Sequence, residues 1–295
     1  MIMVMNSVIY VGLALFGLVL GSFAGASVWR LRARQLVADK KAGESVDAAE
    51  YNQLKKLTQV KTSKDRSRCL HCGYELRWYD LIPLVSWLTL RGRCRRCRQP
   101  IGLMEPLIEL GTALFFVLSY ALWPVPLDGG LAIAGLATWL VAGVGLAILF
   151  AYDAKWFLLP DSITYSVIGL GLVSAILTVA ASDAPGAAVL NIFGSVAVMS
   201  GIYFALYIVS KGRWIGFGDI KLGLALGLFI ADWQLALVGL FLANFIGCLI
   251  VIPLMVMGKL RPDSHVPFGP LLIVGAILAK LIGVFIIDFL LFGLL

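Results

Sequence analysis

Charge is scarce in this chain. Only 14% of its 295 residues are Asp, Glu, Lys or Arg, while 60% are hydrophobic, and the mean hydropathy is +0.93. At that ratio a soluble domain of this length lacks the polar surface to cover itself, so water-soluble classes are excluded. Short segments of alternating apolar and polar residues are missing as well, which excludes a membrane β-barrel. No Lys or Arg precedes Arg30. A secretory leader would open on positive residues and hold only a short apolar core, so residues 1–29 read as a membrane span instead.

What the chain has is long apolar runs. Eight can be counted, at roughly 5–29, 106–123, 131–152, 162–181, 187–210, 222–230, 234–257 and 270–294. They predict an all-α polytopic membrane protein of about eight transmembrane helices. The loops set its orientation. Arg30, Arg32 and Arg34 follow the first run, and Lys155, then Lys211, Arg213 and Lys221, then Lys259 and Arg261 occupy alternate connectors. The remaining connectors hold only Asp128, Asp183 and Asp232. By the positive-inside rule the basic loops face the cytoplasm and both termini lie outside. Lys280, inside the last run, is expected to snorkel or to face the bundle. The sixth run is well short of the ~20 residues a crossing needs, so either Asp219 begins well below the membrane surface or the bilayer thins there.

The positive charge is concentrated between the first two runs. Residues 30–103 carry 17 of the 24 Lys and Arg. A face resting on anionic membrane lipids explains this more simply than nucleic acid, and no nucleic-acid partner is expected. Residues 31–66 carry no motif, although Ser45–Leu57 reads as a surface helix. Cys69-Leu70-His71-Cys72 and Cys94-Arg95-Arg96-Cys97 then form two CxxC knuckles. Four thiolates at this spacing predict a closed, structural zinc site on Cys69, Cys72, Cys94 and Cys97, stapling a segment too small to hold its own core. The alternative, two disulfides, is disfavoured in a reducing cytoplasm. Cys248, alone in an apolar run, reads as a small buried hydrophobe. The expected organisation is a first span at 1–30, a small zinc-stapled cytoplasmic domain at 31–104 and a seven-span domain at 105–295.

Two acids stand where apolar runs meet polar loops. Asp153 ends the third run, and Asp219 closes Gly216-Phe217-Gly218-Asp219 before the sixth. Ionisable groups are costly at such depth and mark functional sites. The loop pattern puts both at the cytoplasmic side, where antiparallel spans can bring them together. Two carboxylates sharing a site cannot both ionise cheaply, so one keeps a proton, which suits acid–base cleavage of a peptide. Gly216 and Gly218 would let an extended substrate approach. Asp161 after Pro160 reads as a helix N-cap. Glu105 and Glu109 share a helix face; they would pair with arginines of the cysteine segment or meet a basic substrate, with Glu109 the substrate-binding candidate. His265, in His265-Val266-Pro267-Phe268-Gly269-Pro270, reads as a loop residue before a turn. Buried acids also serve ion pathways, so a transporter or channel with a metal-stapled regulatory domain is the alternative.

With these residues in view the chain resembles the bacterial type IV prepilin peptidases, the leader peptidase/N-methyltransferases. Ser67–Cys97 is similar to that family's paired-CxxC segment, Pro106-Leu107-Ile108-Glu109-Leu110 to its PLVEL stretch, and Pro267–Pro270 to its PFGP. Asp153 through Leu159-Pro160-Asp161 resembles its D-x7-D segment, and Gly216–Asp219 its GxGD motif. The resemblance implies catalytic roles for Asp153 and Asp219. It implies prepilins or type II secretion pseudopilins as substrates, cut on the cytoplasmic side, and S-adenosylmethionine as methyl donor for the new N-terminus. The chain departs from the family at Gly25, where its first-span signature commonly has Asn in the segment tied to methylation, and at Lys155, where many members carry an acid.

Overall fold

The computed structural model describes residues 2–58, 66–261 and 266–293. His265 and part of the 31–66 stretch lie outside the described residues. Two compact units emerge, residues 1–117 and 118–295.

In the first unit, α1 (Ile2–Lys41) runs well past the expected end of the first span. Its extension, Leu31–Lys41, is built of strong helix formers, and Ala33 and Leu36, three apart, bury one face against Leu54. Leu54 belongs to α2 (Ala48–Leu54), which is N-capped by Asp47 through the Glu50 amide and continues as a 3-10 turn, Lys55–Thr58. The surface helix expected at 45–57 is therefore present. Arg32 clamps it with two hydrogen bonds to Glu50, at 3.1 and 2.6 Å. Leu70, inside the first cysteine knuckle, packs on this small core. A 3-10 turn at Trp78–Asp80 and the short α3 (Val85–Thr89) separate the knuckles, and α4 (Met104–Ala121) follows them. Gly17 and Gly21 on α1 meet the backbone of α4 at Ala113 and Glu109 so closely that a Cβ would stand 2.6–2.7 Å from their Cα atoms.

The second unit contains α5 (Gly130–Trp156), α6 (Asp161–Ala180), α7 (Pro185–Val196), α8 (Ile202–Ser210), α9 (Phe217–Ile230), α10 (Trp233–Val256) and α11 (Phe268–Phe292). A π-turn at Ala197–Gly201 joins α7 to α8, so these two form one continuous apolar rod. By length and composition, seven helices among the described residues can cross a membrane: α1, α4, α5, α6, α7–α8, α10 and α11. The eighth apolar helix, α9, has 14 residues and is about 21 Å long, shorter than the hydrocarbon layer. Leu222, Gly223, Ala225, Leu226 and Gly227 through Ile230 are all buried. A helix apolar on every side is one enclosed by other helices, and α6, the π-turn, α7 and α11 all pack on it. The π-turn rod approaches it most closely. Ser195 and Ser200 donate their hydroxyls to the α9 carbonyls of Gly227 (2.8 Å) and Ile220 (2.9 Å). Between these bonds, a Cβ on Gly223 would stand 2.3 Å from the Met199 carbonyl oxygen.

Candidate active site and metal centre

Three helix ends meet at one end of the second unit. α5 stops when Phe157 takes a left-handed conformation (φ 56°) and returns its N–H to the Asp153 carbonyl. This leaves Asp153 in the last turn, with only 5% of its surface exposed. α9 begins at Gly216, whose extended backbone (φ −75°, ψ 148°) is its N-cap, and the Asp219 amide closes the first turn on the Gly216 carbonyl at 3.2 Å. α11 begins at Phe268, and the next amide, Gly269, donates to Asp153 Oδ2 at 3.0 Å. Asp219 lies within reach of the Asp153 charge. The structure thus brings together the two acids singled out in the sequence, from helices sixty-six residues apart.

The glycines have clear local duties. A Cβ on Gly218 would stand 3.2 Å from the Leu159 side chain, so this glycine lets α9 lie against the α5–α6 connector. A Cβ on Gly269 would fall 2.7 Å from Asp153 Oδ2. Sequence reasoning placed Gly269 only in a turn. Its role as a donor to Asp153 depends on a contact across 116 positions, which no local signal reveals. Tyr203 on α8 was also missed. Its ring packs edge-on against Phe268 at 5.2 Å, and its buried hydroxyl lies beside Asn244 within reach of the Asp219 charge.

Asp161 does not cap α6 as expected. Pro160 is the N-cap, and the Asp161 carboxylate pairs with Lys221 on α9, two residues beyond Asp219. Lys221 also sits over the rings of Tyr165 (5.3 Å) and Phe217 (5.5 Å). A cation offered a carboxylate and two aromatic faces is held in place, and the pair ties the first turn of α6 to that of α9.

In the first unit, the two knuckles are copies of one turn. Bridges between Arg68 and Glu75 and between Arg93 and Pro100 close them. The amides of Cys69 and Cys94 reach Tyr74 and Gln99 carbonyls at 2.9 Å in each case. The left-handed residue after the second cysteine is Gly73 (φ 69°) in one and Arg98 (φ 58°) in the other. The four sulfurs all lie within 4.8 Å of one another, with Cys69–Cys97 at 3.9 Å and Cys72–Cys94 at 4.0 Å. Sulfurs around a tetrahedral zinc with ~2.3 Å bonds stand about 3.8 Å apart, so the donor set fits zinc, and all four cysteines are free of disulfides. Burial raises the Cys94 thiol, but the backbone amides of Cys97 and Arg96 together with the Cys69 and Cys97 thiols bring it down to about 7. Burial pushes Cys69 up to about 12. Buried Asp80 braces the second knuckle, accepting from Arg95 Nε at 2.7 Å and from the Arg77 amide at 3.2 Å.

Glu105 and Glu109 take no arginine partner among the described residues. Glu105 Oε1 accepts the Trp29 indole N–H at 2.8 Å, and buried Glu109 accepts the Leu84 amide at 2.7 Å. Both sit on the α1–α4 face, where Glu109 also has the Ser22 hydroxyl within reach. The Glu109 carboxylate is buried within the first unit.

Comparison with known proteins covers both units. Residues 15–123 match the bacterial peptidase A24 N-terminal domain, and residues 140–252 match the type IV leader peptidase family. A prepilin leader peptidase/N-methyltransferase of Aeromonas hydrophila is 34% identical over 91% of this chain and 89% of its own length. A type 4 prepilin-like proteins leader peptide-processing enzyme of Escherichia coli O78:H11 is 34% identical over 88% of this chain and 89% of its own. A Pseudomonas aeruginosa prepilin leader peptidase/N-methyltransferase is 31% identical over 91% and 89%. No solved structure matches the chain. Paired knuckles, a multi-pass helical body and relatives aligned along nearly the whole length give one conclusion: the chain belongs to the type IV prepilin leader peptidase/N-methyltransferase family, multi-pass enzymes of the bacterial inner membrane.

Proposed function

We propose that Asp153 and Asp219 form an aspartyl dyad that removes the leader peptide from type IV prepilins or type II secretion pseudopilins at the cytoplasmic face of the membrane. The observation that carries this reading is the convergence of the two acids at the ends of α5 and α9, with Asp219 in range of the Asp153 charge. The ionised carboxylate takes a proton from a water molecule, whose oxygen bonds to the scissile carbonyl carbon. The protonated carboxyl donates to the carbonyl oxygen. The carbon–nitrogen bond then breaks, and the departing amine takes up a proton. The Gly269 amide fixes the orientation of the Asp153 carboxylate. Gly216 offers an exposed, extended backbone beside Asp219 for an extended substrate, and Gly218 keeps that approach narrow against Leu159.

The zinc-type centre on Cys69, Cys72, Cys94 and Cys97 has a structural role in this reading, since four thiolates leave no position for a reacting group. The basic loops at 155, 211–221 and 259–261 support the cytoplasmic placement. Methylation of the new N-terminus would draw on S-adenosylmethionine, which supplies a methyl group from a sulfonium centre. Trp29 and Glu105 suit such a cation. Glu105 Oε2 is buried with no hydrogen-bond partner among the described residues, beside the indole that holds Oε1. Gly25 lies next to Glu105, where a Cβ would stand 4.0 Å from its side chain, so the departure from the family's Asn leaves this face open.

The test is to incubate the purified protein with a prepilin, with and without S-adenosylmethionine, and read the product N-terminus by mass. The expected products are the leader-free chain without the cofactor and its methylated form with it. An intact prepilin under both conditions would overturn the proposal.

A further inference from the structure

The segment between the knuckles carries an apolar surface that its own unit does not cover. Trp78, Leu81, Ile82, Val85 and Leu88 are all exposed, Trp78 to 77% and Leu88 to 64%. They occupy the 3-10 turn, the bend after it and α3, twelve residues in all. Exposed arginines at 91, 93, 96 and 98 follow directly. A contiguous apolar patch edged by cations marks a binding surface.

Two hydrogen bonds fix its place. The Leu84 amide reaches Glu109 on α4 at 2.7 Å, and the Trp87 indole reaches the Gly102 carbonyl just before α4 at 3.2 Å. α4 has 18 residues, about 27 Å, so its whole length is needed to cross a ~30 Å hydrocarbon layer and Met104 marks the boundary of that layer. Glu109, five residues in, lies roughly 8 Å further along the axis. Leu84 is thus held against a point inside the layer, with a backbone (φ 57°, ψ −46°) that few non-glycine residues adopt. Such strain persists only where surrounding contacts enforce it, and the bond to Glu109 is the contact here.

We propose that Trp78–Leu88 is an interfacial anchor. Its apolar side chains enter the headgroup layer of the bilayer around the start of α4, and the arginines at 91–98 meet lipid phosphates. The occupant is lipid and not a protein groove, because the patch hangs at membrane depth from a spanning helix and its charge complements phosphate. The inference rests on α4 crossing the membrane and not on the aspartyl chemistry, so it can fail while the protease reading stands.

The test uses the full chain in phosphatidylcholine–phosphatidylglycerol vesicles, with bromines on the acyl chains as fluorescence quenchers. Eight tryptophans are present, so the Trp78 signal is the difference between wild type and Trp78→Phe. The expected result is at least twofold quenching of that signal by brominated lipid and little quenching by aqueous acrylamide. Leu81→Asp with Leu88→Asp should reverse this. If Trp78→Phe fails to insert, Leu88→Trp supplies an added reporter at the same depth. Quenching by acrylamide alone would overturn the proposal. So would shielding from both quenchers, which indicates a protein contact, or shielding from acrylamide that appears only when prepilin is added.

Discussion

The Gly269 amide on α11 donates to Oδ2 of Asp153 on α5 at 3.0 Å, and a Cβ on Gly269 would overlap that oxygen at 2.7 Å. The last spanning helix therefore positions one of the two acids. Gly269→Ala is expected to rotate the carboxylate and break this bond. A hydrogen bond to a charged group contributes about 1.5–3 kcal/mol, so leader cleavage should slow by about ten- to a hundredfold. Initial-rate measurement on a prepilin checks this, with insertion into the membrane unchanged.

The Asp161–Lys221 pair joins the first turns of α6 and α9. Because the Asp161 side chain is 60% exposed, its contribution to stability is about 0–1 kcal/mol, and either single neutral variant should fold normally. Cleavage should nevertheless fall several-fold in Asp161→Asn and in Lys221→Met, since the turn carrying Asp219 loses its tie. The charge-swapped double variant, Asp161→Lys with Lys221→Asp, should recover most of the lost rate. No recovery would mean that Lys221 acts other than through Asp161.

The cysteine centre should hold about one zinc per chain by elemental analysis. A strong chelator, or Cys94→Ser, should release it and open the knuckles to proteolysis at Arg91–Arg98, because metal binding and folding are coupled in so small a segment. An unchanged digestion pattern after metal loss would contradict a structural role.

The approach of the π-turn to α9 leaves no room for a side chain at Gly223. Gly223→Ala should cost about 1–3 kcal/mol through overpacking and lower the thermal midpoint in detergent. Gly169 on α6 is the control: a Cβ there would meet nothing within 4 Å. Gly169→Ala should therefore leave the midpoint unchanged or raise it slightly, as helix propensity predicts.

The features legible in the sequence are those written in local spacing. The paired knuckles, the apolar helices, the short sixth run and the two acids at run boundaries all follow from neighbours a few residues apart. The rest depends on distant partners. Asp161 after Pro160 carries the pattern of a helix cap, yet it pairs with a lysine 60 positions away. Glu105 and Glu109 lie near many arginines in sequence, but they point into the α1–α4 face and take an indole and a backbone amide. α1 outruns the membrane because Ala33 and Leu36 find Leu54 across a turn, a core too small to register as an apolar run. Gly269 reads as punctuation until α11 is folded beside α5.

The most direct measurement is prepilin cleavage by Asp153→Asn and by Asp219→Asn, each purified, inserted and still zinc-loaded. If the two acids work as a pair, each single variant loses at least about a hundredfold in rate, with the prepilin recovered at its full mass. Cleavage at the wild-type rate by either one would contradict a shared dyad.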